Sequence, residues 1–510
     1  NRIDQFGGTK YGTNPDPTIN RSHPARRSLS HLWERVGVRV KRKFTTLTFV
    51  LSLLKEGEGA LEGGEAGRKG KKDCRNRANH CWIERNSLMQ KDKKYDELLE
   101  LIEKDRAELV DLCLRLGNTP SPHARERRVG EAVIDWLNKN GIDAFLQFIT
   151  EESVNAVGVI PGSGDGTSLI FNAHMDTGPE LPPDASEAQR KIEGAWAEGD
   201  LIFGKGVIND KAQLCAFMIA ARAIKRSGFR LKGDLTITGV AFETGSPSVD
   251  ECQGINYPGE GFGTKWLVDR GVTADYALVG ETSGFGVVKA ECGAVWLKIR
   301  VKGREIYTPR LERGSSLKEH PNAFLKTAHL LLALEEWAIK YEQRERHEFP
   351  GGTIIPKAQV IEVRGEGGVT RPSPHCDVYI DVRLVPGKKP LTIKKEIERL
   401  VRALNIDCDV SVFQYSRGYI AKNAEPLISA IEEAHRYVFG TEPPAPPSAE
   451  VSMWRDLNVF NEVGIPSVCY GPPRQREAMS GAQNRAMKIS DLIAATKVYA
   501  LTALSLCGGE

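Results

Sequence analysis

The sequence predicts an α/β protein with a mostly parallel sheet and helices on both faces, into which a ferredoxin-like α+β domain is inserted. Continuous apolar segments such as SLIFNAH and DYALVG alternate with helical patterns, which indicates strands buried on both faces. Near Val288 the pattern changes to a strand–helix–strand–strand–helix–strand order, which is the ferredoxin-like arrangement. The α/β pattern returns after about residue 416, so the ferredoxin-like segment is predicted to be an insertion.

These changes of pattern predict four segments in the 510 residues. They are a basic extension at 1–90, a first part of the α/β domain at 91–288, the inserted domain at 289–415, and a second part of the α/β domain at 416–510. The extension has 18 basic and 9 acidic residues and no sustained period, so we expect a poorly ordered tail. Its apolar stretch FTTLTFVLSLL imitates a signal peptide but lies far from the N-terminus.

The elements of the α/β domain follow from periodicity. A leucine-rich face predicts one helix over Tyr95–Gly117, which ends at a glycine. The remaining predicted elements of this first part are helix 126–138, strand 155–160, strand 168–172, helix 211–226, strand 234–242 and strand 277–279.

The inserted domain and the C-terminal part are justified in the same way. In the insertion, strands AVWLKIRVKG, GGTIIPKAQVIEVRG, CDVYIDVRLVPG and CDVSVFQY are joined by helices at 321–342 and 393–404. The C-terminal part contains a helix at 427–439, the strand PSVCYG and a terminal helix at 489–506.

Composition excludes several classes of protein. Outside the extension there are 52 basic and 58 acidic residues, a net charge of −6, which argues against a nucleic-acid surface. No apolar run approaches the roughly 20 residues that span a bilayer, so we expect no membrane protein. Ten cysteines without a CxxC pair favour reduced, buried thiols in the cytoplasm over a disulfide framework.

The sharpest chemical signal lies in the segment SLIFNAHMDTG. It delivers His174 to the carboxyl end of an apolar strand, where α/β sheets place their ligands. Asp176 follows two residues later, close enough to hydrogen-bond the second ring nitrogen and orient a metal-bound imidazole. An isolated HxD motif is common by chance, and a lone histidine is more often a hydrogen-bonded core or surface residue.

Three acidic residues strengthen the metal interpretation. Asp210 follows a glycine-marked turn in GKGVINDK, Glu243 ends the apolar segment ITGVAFE, and Glu281 ends DYALVGE. Each acid alone is equally well explained as a helix cap or a solvated strand end. Together with His174 they form the nitrogen and oxygen donor set of a hydrolytic metal site.

On these motifs the sequence resembles the zinc-dependent aminoacylase and carboxypeptidase family, which includes acetylornithine deacetylase, succinyl-diaminopimelate desuccinylase and glutamate carboxypeptidase. The resemblance runs from about Tyr95 to Leu506 and implies a homodimer formed through the inserted lid domain. The roles that it implies are His174 and Glu281 as metal ligands, Asp210 as a ligand that binds or bridges, Glu243 as the general base, and Asp176 as the residue that orients His174.

Two departures from the family concern its second metal. The acidic pair of the family is Glu243-Thr244 here, so one carboxylate is missing, and no histidine follows His435. In the family both missing groups bind the same ion, so their joint absence predicts one ion per chain. We expect zinc, or cobalt or manganese, which the remaining donors also accept. Asp250 and Glu251 are alternative ligands for a second ion.

A third departure lies in the lid. Where the family has a histidine that stabilises the tetrahedral intermediate across the dimer, this chain has Tyr307, whose phenol donates one hydrogen bond; a packed tyrosine is the alternative. His320 is expected to cap a helix or lie at the surface. Arg383 is a candidate clamp for a substrate carboxylate, although a structural salt bridge explains it equally well.

The donor residues and the resemblance together imply a metal-dependent hydrolase of the amide bond in an N-acyl amino acid or short peptide, with Glu243 as the base. No nucleic-acid or membrane partner is expected. A serine hydrolase has little support because the sequence lacks a GxSxG motif. The alternative is a catalytically impaired relative that binds a metabolite or peptide, because three groups of the family are missing.

Overall fold

The computed structural model describes residues 92–178, 181–244, 258–349, 351–475 and 486–509. These residues belong to one compact unit. The predicted basic extension at 1–90 and the alternative ligands Asp250 and Glu251 lie outside the described residues.

The described part of the chain has four sheets, of six, four, three and two strands. It also has twelve α-helices. They are α1 (Lys93–Lys104), α2 (Arg106–Gly117), α3 (Arg127–Lys139), α4 (Glu187–Glu193), α5 (Ala212–Arg226), α6 (Phe262–Asp269), α7 (Ala323–Glu345), α8 (Pro390–Ala403), α9 (Glu425–Phe439), α10 (Ser448–Val451), α11 (Leu457–Val463) and α12 (Ile489–Cys507).

The strands are numbered along the chain in the same way. They are β1 (Asp143–Phe148), β2 (Val154–Ile160), β3 (Leu169–His174), β4 (Trp196–Glu198), β5 (Leu201–Phe203), β6 (Leu235–Val240), β7 (Tyr276–Gly280), β8 (Gly293–Lys302), β9 (His347–Phe349), β10 (Gly352–Ile354), β11 (Ala358–Arg364), β12 (His375–Leu384), β13 (Cys408–Ser416), β14 (Ser467–Tyr470) and β15 (Ala486–Lys488).

The larger sheet has the order β1-β2-β6-β3-β7-β14. The pairs β6–β3, β3–β7 and β7–β14 are parallel, whereas β1–β2 and β2–β6 are antiparallel. The prediction of a mostly parallel sheet is therefore confirmed. Because β6, β3 and β7 run side by side in one direction, their carboxyl ends meet at the same edge.

Both faces of this sheet are covered by helices, as predicted. Phe171 on β3 stacks on Phe217 of α5 with ring centroids 4.4 Å apart, and it also contacts Tyr499 of α12. The next residue back, Ile170, points to the opposite face and packs in the core cluster that contains Phe460 of α11. Alternation along β3 thus places consecutive side chains in two separate cores.

The inserted domain confirms the ferredoxin-like prediction. Its four strands have the order β11-β12-β8-β13, and every neighbouring pair is antiparallel. Alternate residues of β8, including Val295 and Leu297, pack against α7 and α8 in a core of their own. The intervening residues of the strand, among them Lys298 and Arg300, form the polar face of the sheet.

Three sequence predictions about elements were wrong in detail. The single helix over 95–117 is broken at Asp105, whose carboxylate pairs with Arg222 at 2.8 Å and with Arg226. The predicted strand GGTIIPKAQVIEVRG is divided around Pro356 into β10 and β11, because proline cannot donate to a ladder. The edge strand β1 was missed because its half-exposed pattern gives little periodicity.

One described helix, α12, is long and apolar enough to cross a membrane, which amends the expectation that no run approaches that length. However, 67% of its apolar window is buried inside the molecule. Its residues Tyr499 and Leu501 lie in the main hydrophobic core, so α12 is accounted for as a core helix.

Candidate active site and metal centre

Three strand ends and one turn bring the predicted site residues together. His174 is the last residue of β3, Glu281 directly follows β7, and Glu243 lies three residues after β6. Asp210 lies in a π-helical turn, Val207–Lys211, that leads into α5. All four side chains are buried, so the carboxyl edge of the sheet places an imidazole and three carboxylates in one water-poor volume.

The distances among these groups suit a shared ion. His174 Nε2 lies 3.6 Å from Glu281 Oε1, and two atoms bound to one zinc ion are roughly 3.3–3.6 Å apart in a tetrahedral shell. One donor atom from each of His174, Asp210 and Glu281 lies within 4.8 Å of the others. Within the described part of the chain, this is the one group of three such donors.

Buried atoms without hydrogen bonds indicate that the residues fit a cation. His174 Nε2, both carboxylate oxygens of Asp210 and Oε2 of Glu281 are buried and accept or donate no hydrogen bond. Leaving such atoms without partners is costly in a protein interior. A divalent ion bound by a nitrogen and carboxylate oxygens would give each of them a partner.

The pKa values of Asp210 and His174 reflect the several carboxylates that lie close together at this site. Burial, together with the neighbouring Glu281, raises the pKa of Asp210 well above its ordinary value. Burial acts to lower the pKa of His174, but Glu243, Asp176 and Glu281 outweigh it and raise the pKa to about 10. A bound cation would replace the ring proton as the partner of these carboxylates.

Asp176 positions two groups rather than one. The Nδ1 of His174 lies 3.0 Å from the backbone carbonyl of Asp176 and 3.5 Å from its carboxylate. The carboxylate itself accepts hydrogen bonds from the backbone N–H groups of Glu243 and Thr244, both at 3.0 Å, and from the Thr244 hydroxyl. Asp176 therefore fixes the turn that carries Glu243 as well as the imidazole that the sequence predicted it to orient.

Glu243 lies beside the cluster of His174, Asp210 and Glu281 without belonging to it. Its Oε2 is 3.5 Å from His174 Nε2. Burial raises the pKa of Glu243 well above its ordinary value against the opposing charge of His174, and Glu281 raises it further. A carboxylate whose pKa is raised holds a proton more readily than an ordinary one, which suits a group that takes up and returns a proton in general acid–base catalysis.

Thr244 occupies the position of the missing second carboxylate, and its hydroxyl is already engaged. It donates to Asp176 and lies 3.1 Å from His123 Nε2. The hydroxyl is thus part of the hydrogen-bond network that supports Asp176.

A buried arginine that sequence reasoning missed lies on the other side of Glu281. Arg455 Nε is 3.6 Å from Glu281 Oε2. Its terminal nitrogens donate to Glu291 at 2.6 Å and to Glu450 at 2.5 Å. Arg455 lies in the connection between α10 and α11, where neither periodicity nor a strand end marks it.

A cavity of about 620 Å³ opens at this site between the α/β domain and the lid. Its volume lies in the range of roughly 300–1,000 Å³ that is usual for small-molecule sites. Glu243 and Glu281 line it from the sheet, and Lys357 and Arg383 line it from the lid. Trp454 and Met453 supply apolar surface.

The lid candidates are placed differently from one another. Arg383 lines the cavity and also donates to Asp381 at 2.9 Å. This geometry is compatible both with a clamp for a substrate carboxylate and with a structural salt bridge. Tyr307 is 44% exposed and is not among the residues that line this cavity. His320 is buried, and its Nδ1 accepts from the N–H of Asn322, the residue that caps α7.

Arg474 is a second missed residue, and the sequence did contain a signal for it. It follows the carboxyl end of β14 by four residues and lines the cavity. Its Nε donates to Thr282 Oγ1 at 2.6 Å, and a terminal nitrogen donates to Asn209 Oδ1 at 3.3 Å. The rule that identified His174 and Glu281 at strand ends points to this residue as well.

Fold and site together define a metal-dependent hydrolase of amide bonds. Residues 170–505 match Peptidase family M20/M25/M40, a span of 336 of the 510 residues, and the chain belongs to that family. The resemblance stated from the motifs is therefore confirmed.

Individual relatives agree with this assignment. Over 450 residues the chain is 25% identical to N-formyl-4-amino-5-aminomethyl-2-methylpyrimidine deformylase of Bacillus subtilis strain 168, covering 82% of this chain and 98% of the relative. Human carnosine dipeptidase 1 has a similar fold, with a TM-score of 0.61, 16% identity and coverage of 82% and 99%. The Bacillus subtilis YXEP protein, a dinuclear metal-binding peptidase of the M20 family, gives a TM-score of 0.54 at 12% identity, with coverage of 80% and 99%.

Proposed function

We propose that this chain hydrolyses the amide bond of a small N-acyl amino acid or short peptide, with His174, Asp210 and Glu281 holding a divalent ion and Glu243 acting as general base. The observation that carries the proposal is the set of buried donor atoms without hydrogen bonds on the three ligands, directly beside Glu243. The cavity volume of about 620 Å³ supports a small substrate rather than a folded protein.

The ion, Glu243 and Asp176 have separate roles in the proposed reaction. When bound, a divalent ion supplies a Lewis acid that polarises the acyl group and lowers the pKa of water. Glu243 takes a proton from the attacking water and returns it to the nitrogen that leaves. Asp176 holds the Glu243 turn through two backbone N–H groups, so the base stays in place while its charge changes.

We infer one ion per chain, and zinc as the ion. The described residues offer one three-donor group, and Thr244 stands where a second acidic ligand would be needed. One nitrogen and two carboxylates with an open position are the composition of a catalytic zinc site, although cobalt or manganese also suits these donors.

We further propose a homodimer formed through the lid and a cytoplasmic location. The edge strand β11 exposes Ile361 and Val363, and α7 of the same domain exposes Leu332 and Ile339. An apolar edge strand beside an apolar helix is a surface that proteins usually cover. The free thiols of the described cysteines, among them Cys113 and Cys215, support a reducing compartment.

The test compares Glu243→Gln with the parent protein on a panel of N-acyl amino acids and dipeptides, with and without chelator. Amine release that requires metal in the parent, and a loss of at least about a thousandfold in the variant at unchanged metal content, is the expected result. The matched control is Glu260→Gln, which removes a carboxylate from another part of the cavity wall and is expected to lower turnover far less.

Equal turnover in the Glu243→Gln variant and the parent would remove the base from the mechanism. The impaired, binding-only relative gains no support from the relatives reported above. It would be favoured by tight binding of a panel compound without any release of amine.

A further inference from the structure

Four cationic side chains line the cavity, and they differ in how their charge is compensated. Three are ion-paired: Lys357 with Glu342, Arg383 with Asp381, and Arg455 with Glu291 and Glu450. Among the described residues, Arg474 has no carboxylate within ion-pair distance, and its two hydrogen bonds go to a hydroxyl and an amide. Its positive charge is therefore the least compensated one on the cavity wall.

The two hydrogen bonds fix the guanidinium next to the metal cluster. Thr282 directly follows the ligand Glu281, and Asn209 directly precedes the ligand Asp210. Arg474 is thereby tied to both turns that present carboxylates to the ion. The position also brings it close enough for its charge to act on Asp210.

Three of the five N–H donors of Arg474 are left over by these two hydrogen bonds. A guanidinium presents its donors as a planar fork that suits an anionic oxygen. A role in supporting the ion does not explain the residue, because a like charge beside a metal site weakens the binding of a cation.

We propose, on the basis of the function proposed above, that Arg474 binds the acyl oxygen of the substrate and stabilises the negative charge that develops on it. When the water oxygen bonds to the acyl carbon, the π electron pair of the carbonyl moves to the acyl oxygen. When the carbonyl re-forms, the C–N bond breaks and the proton from Glu243 goes to the nitrogen. A preorganised cation in a buried site stabilises such a developing charge strongly.

Other donors are less well placed for this oxygen in the same chain. Tyr307, which the resemblance expects to act across the dimer, is 44% exposed and does not line the cavity of its own chain. Arg383 belongs to the lid wall, where it is paired with Asp381 and lies over the ring of Trp296. Within one chain, Arg474 is therefore the cation placed to contact the acyl oxygen. Arg383 is placed to contact a more distant part of the substrate.

The test uses the full-length, zinc-loaded protein and methylphosphonate, a tetrahedral dianion, in calorimetric titrations. Arg474→Gln is expected to weaken methylphosphonate binding at least tenfold, whereas the matched control Arg383→Gln weakens it less than threefold. Zinc affinity, measured by chelator competition, should rise in Arg474→Gln because a like charge is removed. A fall in zinc affinity would show instead that Arg474 supports the metal ligands, and it would overturn the inference.

Kinetics on the best substrate of the panel provide the second arm. Arg474→Gln is expected to lower kcat by about 10²–10³-fold with KM within threefold, and Arg474→Lys to recover part of the loss. Wild-type binding of methylphosphonate by Arg474→Gln would overturn the inference. So would a rise in KM confined to substrates with a free carboxylate, which would make Arg474 a carboxylate clamp. A parent protein that hydrolyses no panel compound overturns the proposed function, and the inference is then judged on methylphosphonate alone.

Discussion

The six-stranded sheet and the four-stranded lid sheet differ in how their charged side chains are compensated. On the polar face of the lid sheet, Asp377 receives a two-pronged pair from Arg300 at 2.8 and 2.7 Å and a third contact from Lys298 at 3.2 Å. At the carboxyl edge of the larger sheet, Asp210 is buried with neither oxygen hydrogen-bonded. The lid acid stabilises the fold, whereas the acid of the larger sheet fits a bound cation.

The largest effect in this comparison is expected for Asp210→Asn. The amide removes one charge from the metal cluster, so we expect zinc affinity to fall at least about a hundredfold and turnover at least about a thousandfold. The metal-free variant should be as stable as the metal-free parent or more stable, because an unpaired buried carboxylate has been removed. Chelator competition and denaturant unfolding of both proteins without metal measure the two quantities. A metal-free variant that is less stable by more than 2 kcal/mol would show that Asp210 has a structural partner.

Arg455→Met is expected to show what happens when the larger sheet loses its own compensating cation. It leaves Glu281, Glu291 and Glu450 without their shared guanidinium. Breaking a buried pair by removing one partner costs about 3–5 kcal/mol, and urea unfolding of the metal-free protein measures this loss. Arg455→Lys keeps the charge and should lose less. Equal stability of Arg455→Met and the parent would contradict the assigned role.

Asp377→Asn is the matched substitution in the lid and should have the smallest effect. We expect a loss of about 1–3 kcal/mol of unfolding free energy, since Arg300 and Lys298 lose a charged acceptor, with zinc content and kcat unchanged. Burial acts to raise the pKa of Asp377, but these two cations hold it below its ordinary value. The stabilisation is therefore present above about pH 4 and is lost as the pH falls further. Unfolding curves at pH 7 and pH 3 test this, and a loss of zinc would link the lid acid to the metal site.

The comparison also explains which residues the sequence could reveal. His174 ends a buried strand, and Glu243 and Glu281 follow two others. An apolar run that ends in an ionisable residue can be recognised in the sequence alone. Arg474 also follows the carboxyl end of a buried strand, but it lies four residues beyond β14. Residues at that distance from a strand end therefore belong among the candidates for the site. The ferredoxin-like domain was predictable because its element order alone defines it.

Other features depend on contacts between distant parts of the chain and leave no local pattern. Arg455 is fixed by Glu291, a partner 164 residues away. At the break, Asp105 pairs with Arg222 on α5, whereas the local leucine spacing favours one continuous helix. The hydrogen bond that Asp176 accepts from the backbone N–H of Glu243 could not be predicted, because it depends on where the turn at Glu243 lies in the folded chain.

The central claim is that His174, Asp210 and Glu281 together hold one divalent ion. Metal analysis of the purified protein after exhaustive loading with zinc and removal of excess ion tests it most directly, with His174→Ala measured in parallel. The account predicts one equivalent per chain in the parent and none in the variant. Two equivalents in the parent, or one retained in His174→Ala, would contradict it.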